Sequence, residues 1–326
     1  MKLGIIGTNW ITQQFVEAAE STGDYQLTAI YSRHEATAAA FAAKTHEATL
    51  YTELPAFFAS DLDVVYIASP NGLHAEQAAA ALTAGKHVIV EKPMVTHPSQ
   101  LALIESAQAA HPECLIFEAA RHVYDSNFAK ITALVQQRRA TLTGATLVYA
   151  KYSSRYDAYL AGENPNIFSP RFGGGALMDL GVYSVYAAVA WFGVPEQVEY
   201  LPSMLASGVD GGGVAHLHYT DVDVNLILGK NYNTSASSEI HFGKTTLQLG
   251  ATGSLDELRL VGAETDDLHV AQPANPMVDE ARYFAHALLT HDQAAFERQW
   301  RLAKQVHQVL GDLRGTTTIK FGNDPQ

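Results

Sequence analysis

Short apolar runs alternating with alanine-rich helical stretches fill the first third of the chain, and no other feature restricts its fold as much. The runs lie at residues 3–6, 26–31, 63–68, 87–90 and 114–117, with helical patterns at 10–20, 35–44, 73–84 and 98–110 between them. Strands separated by helices of about ten residues or more predict βαβ units and a parallel sheet. The near-continuous apolarity of Val64-Val65-Tyr66-Ile67-Ala68 predicts a strand covered on both faces. Gly85 follows the third helical stretch as a natural helix terminator.

The rhythm changes after residue 118. A helical pattern at 127–138 leads into a longer strand at 146–152, then an irregular loop at 153–172 and the run Gly173-Gly174-Gly175 that opens an apolar helix. Strand patterns dominate from 196 to 260. Asp221-Val222-Asp223-Val224-Asn225-Leu226 alternates strictly, the mark of a sheet with one packed and one polar face. Helices at 275–290 and 294–310 and a last strand at 316–320 are expected. The second part reads as α+β on an antiparallel or mixed sheet, with the boundary near residues 118–125.

Composition removes several rivals. A chain of 326 residues, 47% hydrophobic, can bury a core and is long enough for two domains. A formal charge of -13 disfavours nucleic acid, whose phosphates need clustered Lys and Arg. No stretch reads as the ~18 apolar residues of a membrane span, so no membrane partner is expected. Cys114, the single cysteine, opens an apolar run and is expected as a buried thiol. A cytoplasmic protein fits this usage.

Two loops point to a dinucleotide. A pyrophosphate-binding turn needs small residues where the backbone approaches the phosphates at a helix N-terminus. Here Gly7-Thr8-Asn9-Trp10-Ile11 follows the first strand, with Asn9 at the middle glycine position. Asn tolerates positive φ, so the turn stays available, but its side chain is expected in space the phosphates would use. After the second strand comes Ser32-Arg33, where NAD-selective folds place a carboxylate for the ribose hydroxyls. A hydroxyl and a guanidinium suit a 2′-phosphate, so NADP(H) is favoured and NAD(H) remains an alternative. The turn Ser69-Pro70-Asn71-Gly72 is similar to a loop running beneath the nicotinamide ribose. His74, which follows it, reads equally as a cofactor contact or as a first-turn helix residue. Glu91-Lys92-Pro93 ends the fourth of these apolar runs and puts an amine at a strand's carboxyl end, where open α/β sheets bind ligands.

These motifs, with Gly-Gly-Gly-Ala-Leu-Met-Asp-Leu-Gly-Val-Tyr at 173–183, resemble the Gfo/Idh/MocA oxidoreductases over nearly the whole length. The resemblance implies an α/β fold: a Rossmann doubly wound parallel sheet over 1–120, then an α+β domain with a large, mostly antiparallel open sheet over 121–326. It implies NAD(P)-linked hydride transfer at a carbinol carbon of a sugar, polyol or cyclic alcohol, or of the corresponding carbonyl compound. Cofactor contacts are then expected from Gly7, Thr8, Asn9, Trp10, Ile11, Ser32, Arg33, Ser69, Pro70, Asn71, His74, Glu91 and Lys92. Asp179 and Tyr183, four apart on a helix, share one face. With Lys92 beside the nicotinamide they supply the proton chemistry. Tyr183 stands where many members carry histidine and is read as the general acid of reduction. Lys92 orients the substrate oxygen, and Asp179 holds substrate hydroxyls or the lysine.

The remaining candidates carry less. Arg155 and Tyr156 lie on a polar, aromatic loop that suits a sugar-binding rim. Arg121 and His122 follow the run at 114–117 and read equally as site residues or as a boundary salt bridge. His216 and His218 share one strand face, but no carboxylate or Cys at ligand spacing accompanies them, so no metal is expected. A homodimer or homotetramer is the family habit. The alternatives kept open are an NAD-dependent inositol or sugar dehydrogenase and a catalytically inactive dinucleotide-sensing regulator of the same fold.

Overall fold

The structure, a computed structural model, describes residues 1–45 and 48–325. The chain divides into two compact units: Met1–Val95, Ser99–Arg121 and Pro273–Arg301 form the first, and Thr96–Pro98, His122–Gln272 and Leu302–Gln326 the second. Residues 273–301 therefore return to the first unit, whereas the sequence reading ran the second domain unbroken from 121 to 326. Position 326 itself lies outside the described residues.

The first unit strings β1 (Lys2–Ile6), α1 (Trp10–Ser21), β2 (Gln26–Tyr31), α2 (Glu35–Ala42), β3 (Thr49–Tyr51) and α3 (Leu54–Phe58). Then come β4 (Val64–Ile67), α4 (His74–Thr83), β5 (His87–Glu91), α5 (Leu101–Ala110) and β6 (Ile116–Ala119). The sheet order is β3-β2-β1-β4-β5-β6, every pair parallel. All four residues of β4 are buried, as a strand covered on both sides requires. Phe15 of α1 stacks on Tyr66 of β4 at 3.8 Å between ring centroids. The order reverses between β1 and β4, the switch point outside whose carboxyl ends doubly wound sheets bind ligands. The sequence reading missed β3 and α3, which have three and five residues and are too short for a periodic signal. Helix Val278–Thr290 closes this unit, with Phe284 stacked on Phe117 of β6 at 5.3 Å.

The second unit contains α6 (Ser126–Gln137), β7 (Gly144–Ala150), α7 (Tyr156–Leu160) and α8 (Val182–Phe192). It continues with β8 (Gln197–Met204), β9 (Asp210–His218), β10 (Asp223–Gly229), β11 (Ser238–Phe242), β12 (Thr245–Gly250), β13 (Arg259–Gly262) and β14 (Asp266–Asp267). Its sheet runs β14-β13-β12-β11-β7-β10-β9-β8, with β7 and β10 parallel and the other pairs antiparallel. Val224, Leu226 and Leu228 of β10 are fully buried while Asp223 and Asn225 are exposed, so one face packs and the other is polar.

Two expectations fail. Residues 316–320 form no strand. Helix Gln293–Gly315 runs on instead, and the Thr316 and Thr317 hydroxyls donate to the carbonyls of Leu313 and Arg314 (both 2.7 Å), spending the local polar groups on the helix end. The segment Pro170–Phe192 does reach the length and apolarity of a membrane span, and 83% of that window is buried inside the fold. That burial is what an apolar core helix requires.

Candidate functional site

Each unit carries one cluster. In the first, Gly7 ends β1 with φ +107°, and a Cβ there would lie 2.5 Å from the Ala68 carbonyl oxygen. Only glycine fits so close beside β4. Asn9 does not use positive φ, as expected above. It is extended (φ −90°) and caps α1, its Oδ1 accepting from the amides of Ile11 (3.0 Å) and Thr12 (3.1 Å). Its Nδ2 donates to the Ala68 carbonyl at 2.9 Å. The side chain folds back onto the protein and ties the turn to the residue after β4. Thr8 and Ile11 are half-buried, and Trp10 is 69% exposed at the first helical position.

Ser32 and Arg33 follow β2, half-buried and exposed respectively. The Ser32 hydroxyl hydrogen-bonds Thr37, and the Thr37 hydroxyl donates to the His34 carbonyl at 2.7 Å. A short hydroxyl-lined turn leads into α2, with no carboxylate among residues 31–34.

His74 is 1% exposed, its Nδ1 2.9 Å from the Pro93 carbonyl and its Nε2 2.7 Å from the Ser69 carbonyl. Burial lowers its pKa, although both carbonyls favour the cation. His74 thus clamps the Ser69–Asn71 turn to the Lys92-Pro93 segment, with both ring nitrogens turned to backbone carbonyls. Glu91 is 6% exposed and accepts from the Tyr66 hydroxyl at 2.7 Å. Burial pushes its carboxyl up, opposed most by Lys92. Ser69 donates to Gln77 at 2.6 Å, and Pro70, Asn71 and Lys92 are half-buried at the carboxyl ends of β4 and β5.

In the second unit the glycine run gives way to a π-helical turn, Leu177–Gly181, continuous with α8. Such wide turns inside helices recur at functional sites. Gly175 has φ +112°, and a Cβ on it would overlap Asp210 Oδ1. Asp210, 1% exposed, accepts from the Leu177 amide at 2.7 Å and the Tyr200 hydroxyl at 2.6 Å. Burial raises its pKa, and both hydrogen bonds hold it back. The turn is thereby pinned to β9 at its start. Leu228 of β10 approaches Gly181 closely, its Cδ1 2.8 Å from where a Cβ would stand.

The pinned turn presents Asp179, whose side chain is 25% exposed and ion-paired to Lys230, itself 1% exposed. The Lys230 ammonium also lies 5.3 Å from the centroid of the Phe168 ring. Tyr156 packs on Phe168 at 5.5 Å and on Tyr152 at 5.4 Å, which joins this loop to the Asp179 cluster, while Arg155 is exposed. Tyr183, 7% exposed, sits against Tyr149 (5.2 Å) and His122 (4.8 Å), and the His122 ring Nε2 donates to the Tyr183 carbonyl at 3.0 Å. His122 thus belongs to the Tyr183 cluster. Lys230 was missed in the sequence, although the signal existed: it ends the apolar run Leu226-Ile227-Leu228-Gly229 as Lys92 ends its own.

Comparison with known proteins agrees with this architecture. Residues 1–118 match the family profile described as "Oxidoreductase family, NAD-binding Rossmann fold". The uncharacterized oxidoreductase YgjR of Escherichia coli is 40% identical over 99% of this chain and 98% of its own length. The scyllo-inositol 2-dehydrogenase (NADP(+)) IolU of Bacillus subtilis is 36% identical over 95% of this chain and 96% of its own. Among solved structures, a 3-ketoreductase from Actinomadura kijaniata in complex with NADP superposes with TM-score 0.81 at 20% identity, covering 97% of each chain.

Proposed function

The chain belongs to the Gfo/Idh/MocA oxidoreductase family, and on that premise we propose a dehydrogenase that favours NADP(H) and acts on a ring-shaped polyol or sugar and its ketone. The observation that carries the reading is the ion pair of Asp179 with buried Lys230, one helical turn from Tyr183. A carboxylate fixed beside a phenol suits a substrate rich in hydroxyls, because it accepts hydrogen bonds from them while the phenol handles one proton. The preference for NADP(H) is supported by Ser32 and Arg33 with no neighbouring carboxylate, and by the NADP(+) of the Bacillus relative's name. The residues of the first unit fit a dinucleotide. The cradle at Gly7 admits no Cβ, and the Asn9 side chain is withdrawn onto Ala68.

Gly7, Thr8, Trp10 and Ile11 would hold the pyrophosphate, Ser32 and Arg33 the 2′-phosphate, and Ser69, Pro70, Asn71 and Lys92 the nicotinamide end. The bound nicotinamide supplies or accepts the hydride. In the reducing direction Tyr183 donates its phenolic proton to the substrate oxygen, and in oxidation it takes that proton back. Lys92 is the first unit's candidate for orienting and polarising a substrate oxygen with its ammonium. Asp179, held by Lys230, receives neighbouring hydroxyls, and Arg155 and Tyr156 contact the outer part of the substrate. Tyr149 and His122 fix the Tyr183 ring by packing. A homodimer or homotetramer is the assembly expected, and sedimentation equilibrium measures it.

The test is initial-rate NADPH formation across inositol stereoisomers, pentoses and hexoses, followed by NADPH consumption with the corresponding ketones. Turnover with at least one cyclic polyol is expected. Tyr183→Phe should lower kcat by about 10²–10⁴ with little change in cofactor KM. Full activity in Lys92→Ala would overturn the assignment.

A further inference from the structure

The exposed face of the second unit's sheet carries three metal-ligating side chains that the proposed reaction does not use. His216 and His218 lie on β9 and point to the same face, two residues apart. The carboxylate beside them comes from the next strand, since antiparallel pairing sets Asp223 of β10 opposite His218 and Asn225 opposite His216. Asp223 Oδ1 is 2.8 Å from His218 Nδ1 and 3.5 Å from His216 Nε2. One ligand atom from each residue falls within 4.8 Å of the others. The expectation of no metal rested on the lack of a carboxylate at ligand spacing, and the antiparallel register brings Asp223 beside both histidines.

We propose that His216, His218 and Asp223 form a binding site for a divalent transition cation of the zinc class. Zinc bonds to imidazole nitrogen and carboxylate oxygen of about 2.0–2.2 Å place tetrahedral ligand atoms about 3.4 Å apart. The two separations from Asp223 bracket that value, and the two imidazole nitrogens lie within 4.8 Å of each other, so ligation needs side-chain adjustment and no change of strand register. Orientation is also prepared. His216 Nδ1 lies 3.0 Å from Asn225 Oδ1, which can only accept, so Nδ1 carries the proton and Nε2 keeps its lone pair for the cation. On His218 the cation replaces the proton now shared between Nδ1 and Asp223, and the imidazole proton moves to Nε2. Glu199 of β8 pairs in register with His216 and adds negative charge to the same row. The nearby guanidinium of Arg139 is taken up by Asp221 at 2.7 Å. Three protein ligands on a solvent-facing sheet leave coordination positions for water. Imidazole and carboxylate together favour Zn2+, Ni2+ or Co2+ over Mg2+ and Ca2+.

The test is a competition titration of the full chain with Zn2+ against a chromogenic chelator in metal-free buffer, with Co2+ absorption as a coordination readout. One equivalent is expected to bind with micromolar affinity, unaffected by millimolar Mg2+, and to raise the melting temperature. His216→Ala and Asp223→Asn should each weaken binding at least tenfold, while His269→Ala, another exposed histidine, should leave it unchanged. All three side chains are exposed or half-buried, so the apo variants should melt as the parent does. Equal affinity and stoichiometry in the parent and a His216→Ala/His218→Ala double variant would overturn the proposal. So would the absence of saturable binding at millimolar Zn2+.

Discussion

Lys230 and Asp179 form a pair whose two halves respond differently to substitution. Breaking a buried ion pair by removing one partner costs about 3–5 kcal/mol, because the remaining charge stays desolvated. Lys230 is only 1% exposed, so Asp179→Asn strands the more buried charge and should cost about 3–5 kcal/mol in chemical denaturation. Lys230→Met removes the charge that fixes the carboxylate without stranding a buried cation. It is expected to raise substrate KM tenfold or more with a smaller loss of stability, and steady-state kinetics beside denaturation melts separates the two effects. Arg33 is exposed, so its removal should leave stability untouched. The charge-assisted bond to a 2′-phosphate proposed for Arg33 is worth about 1.5–3 kcal/mol, so on that proposal Arg33→Ala raises KM for NADPH tenfold or more and leaves KM for NADH nearly unchanged. Equal changes for both cofactors would remove Arg33 from the phosphate site.

The turn Leu177–Gly181 is held by contacts that lie far away in sequence. Asp210, on β9, accepts from the Leu177 amide, and its Oδ1 occupies the space a side chain on Gly175 would need. Gly175→Ala therefore meets both a φ of +112° and a steric overlap, and should cost several kcal/mol with loss of activity. Asp210→Ala leaves the Leu177 amide and the Tyr200 hydroxyl without their shared acceptor in a buried setting, at about 1–3 kcal/mol for each donor. A thermal melt and a kcat measurement on each variant test both expectations. The parallel strands of the first unit were readable because fully buried strands are continuously apolar. The glycine run and the Asp179/Tyr183 spacing were readable because both are local patterns. The π-turn was not, since no local spacing announces an extra residue whose geometry is set by a carboxylate arriving from another strand. The role of His74 was equally hidden, because its two carbonyl partners, Ser69 and Pro93, belong to different loops.

Glu280 bears on the stability of the whole fold. It is fully buried in helix Val278–Thr290, and neither carboxylate oxygen has a hydrogen-bond partner among the described residues. Burial, assisted by Glu91, pushes its pKa well above the ordinary 4.5. The folded protein keeps this proton to a higher pH than the unfolded chain, so its stabilising contribution is complete below pH 4.5 and fades as pH rises toward the folded pKa. The slope is about 1.4 kcal/mol for each pH unit between the two values. Glu280→Gln, neutral at every pH, should match the parent near pH 4 and exceed it in melting temperature increasingly toward pH 8; a constant difference would refute the assignment. The longer elements and their order, and the parallel character of the first sheet, follow from local pattern alone, because periodicity, turn chemistry and capping act over a few neighbouring residues. The return of residues 273–301 to the first unit, the burial of Lys230 against Asp179, and the meeting of Asp223 with two histidines needed the folded chain. The first two depend on packing between segments tens of residues apart, and the third on the register of a hairpin that sets Asp223 opposite His218; no local pattern records either.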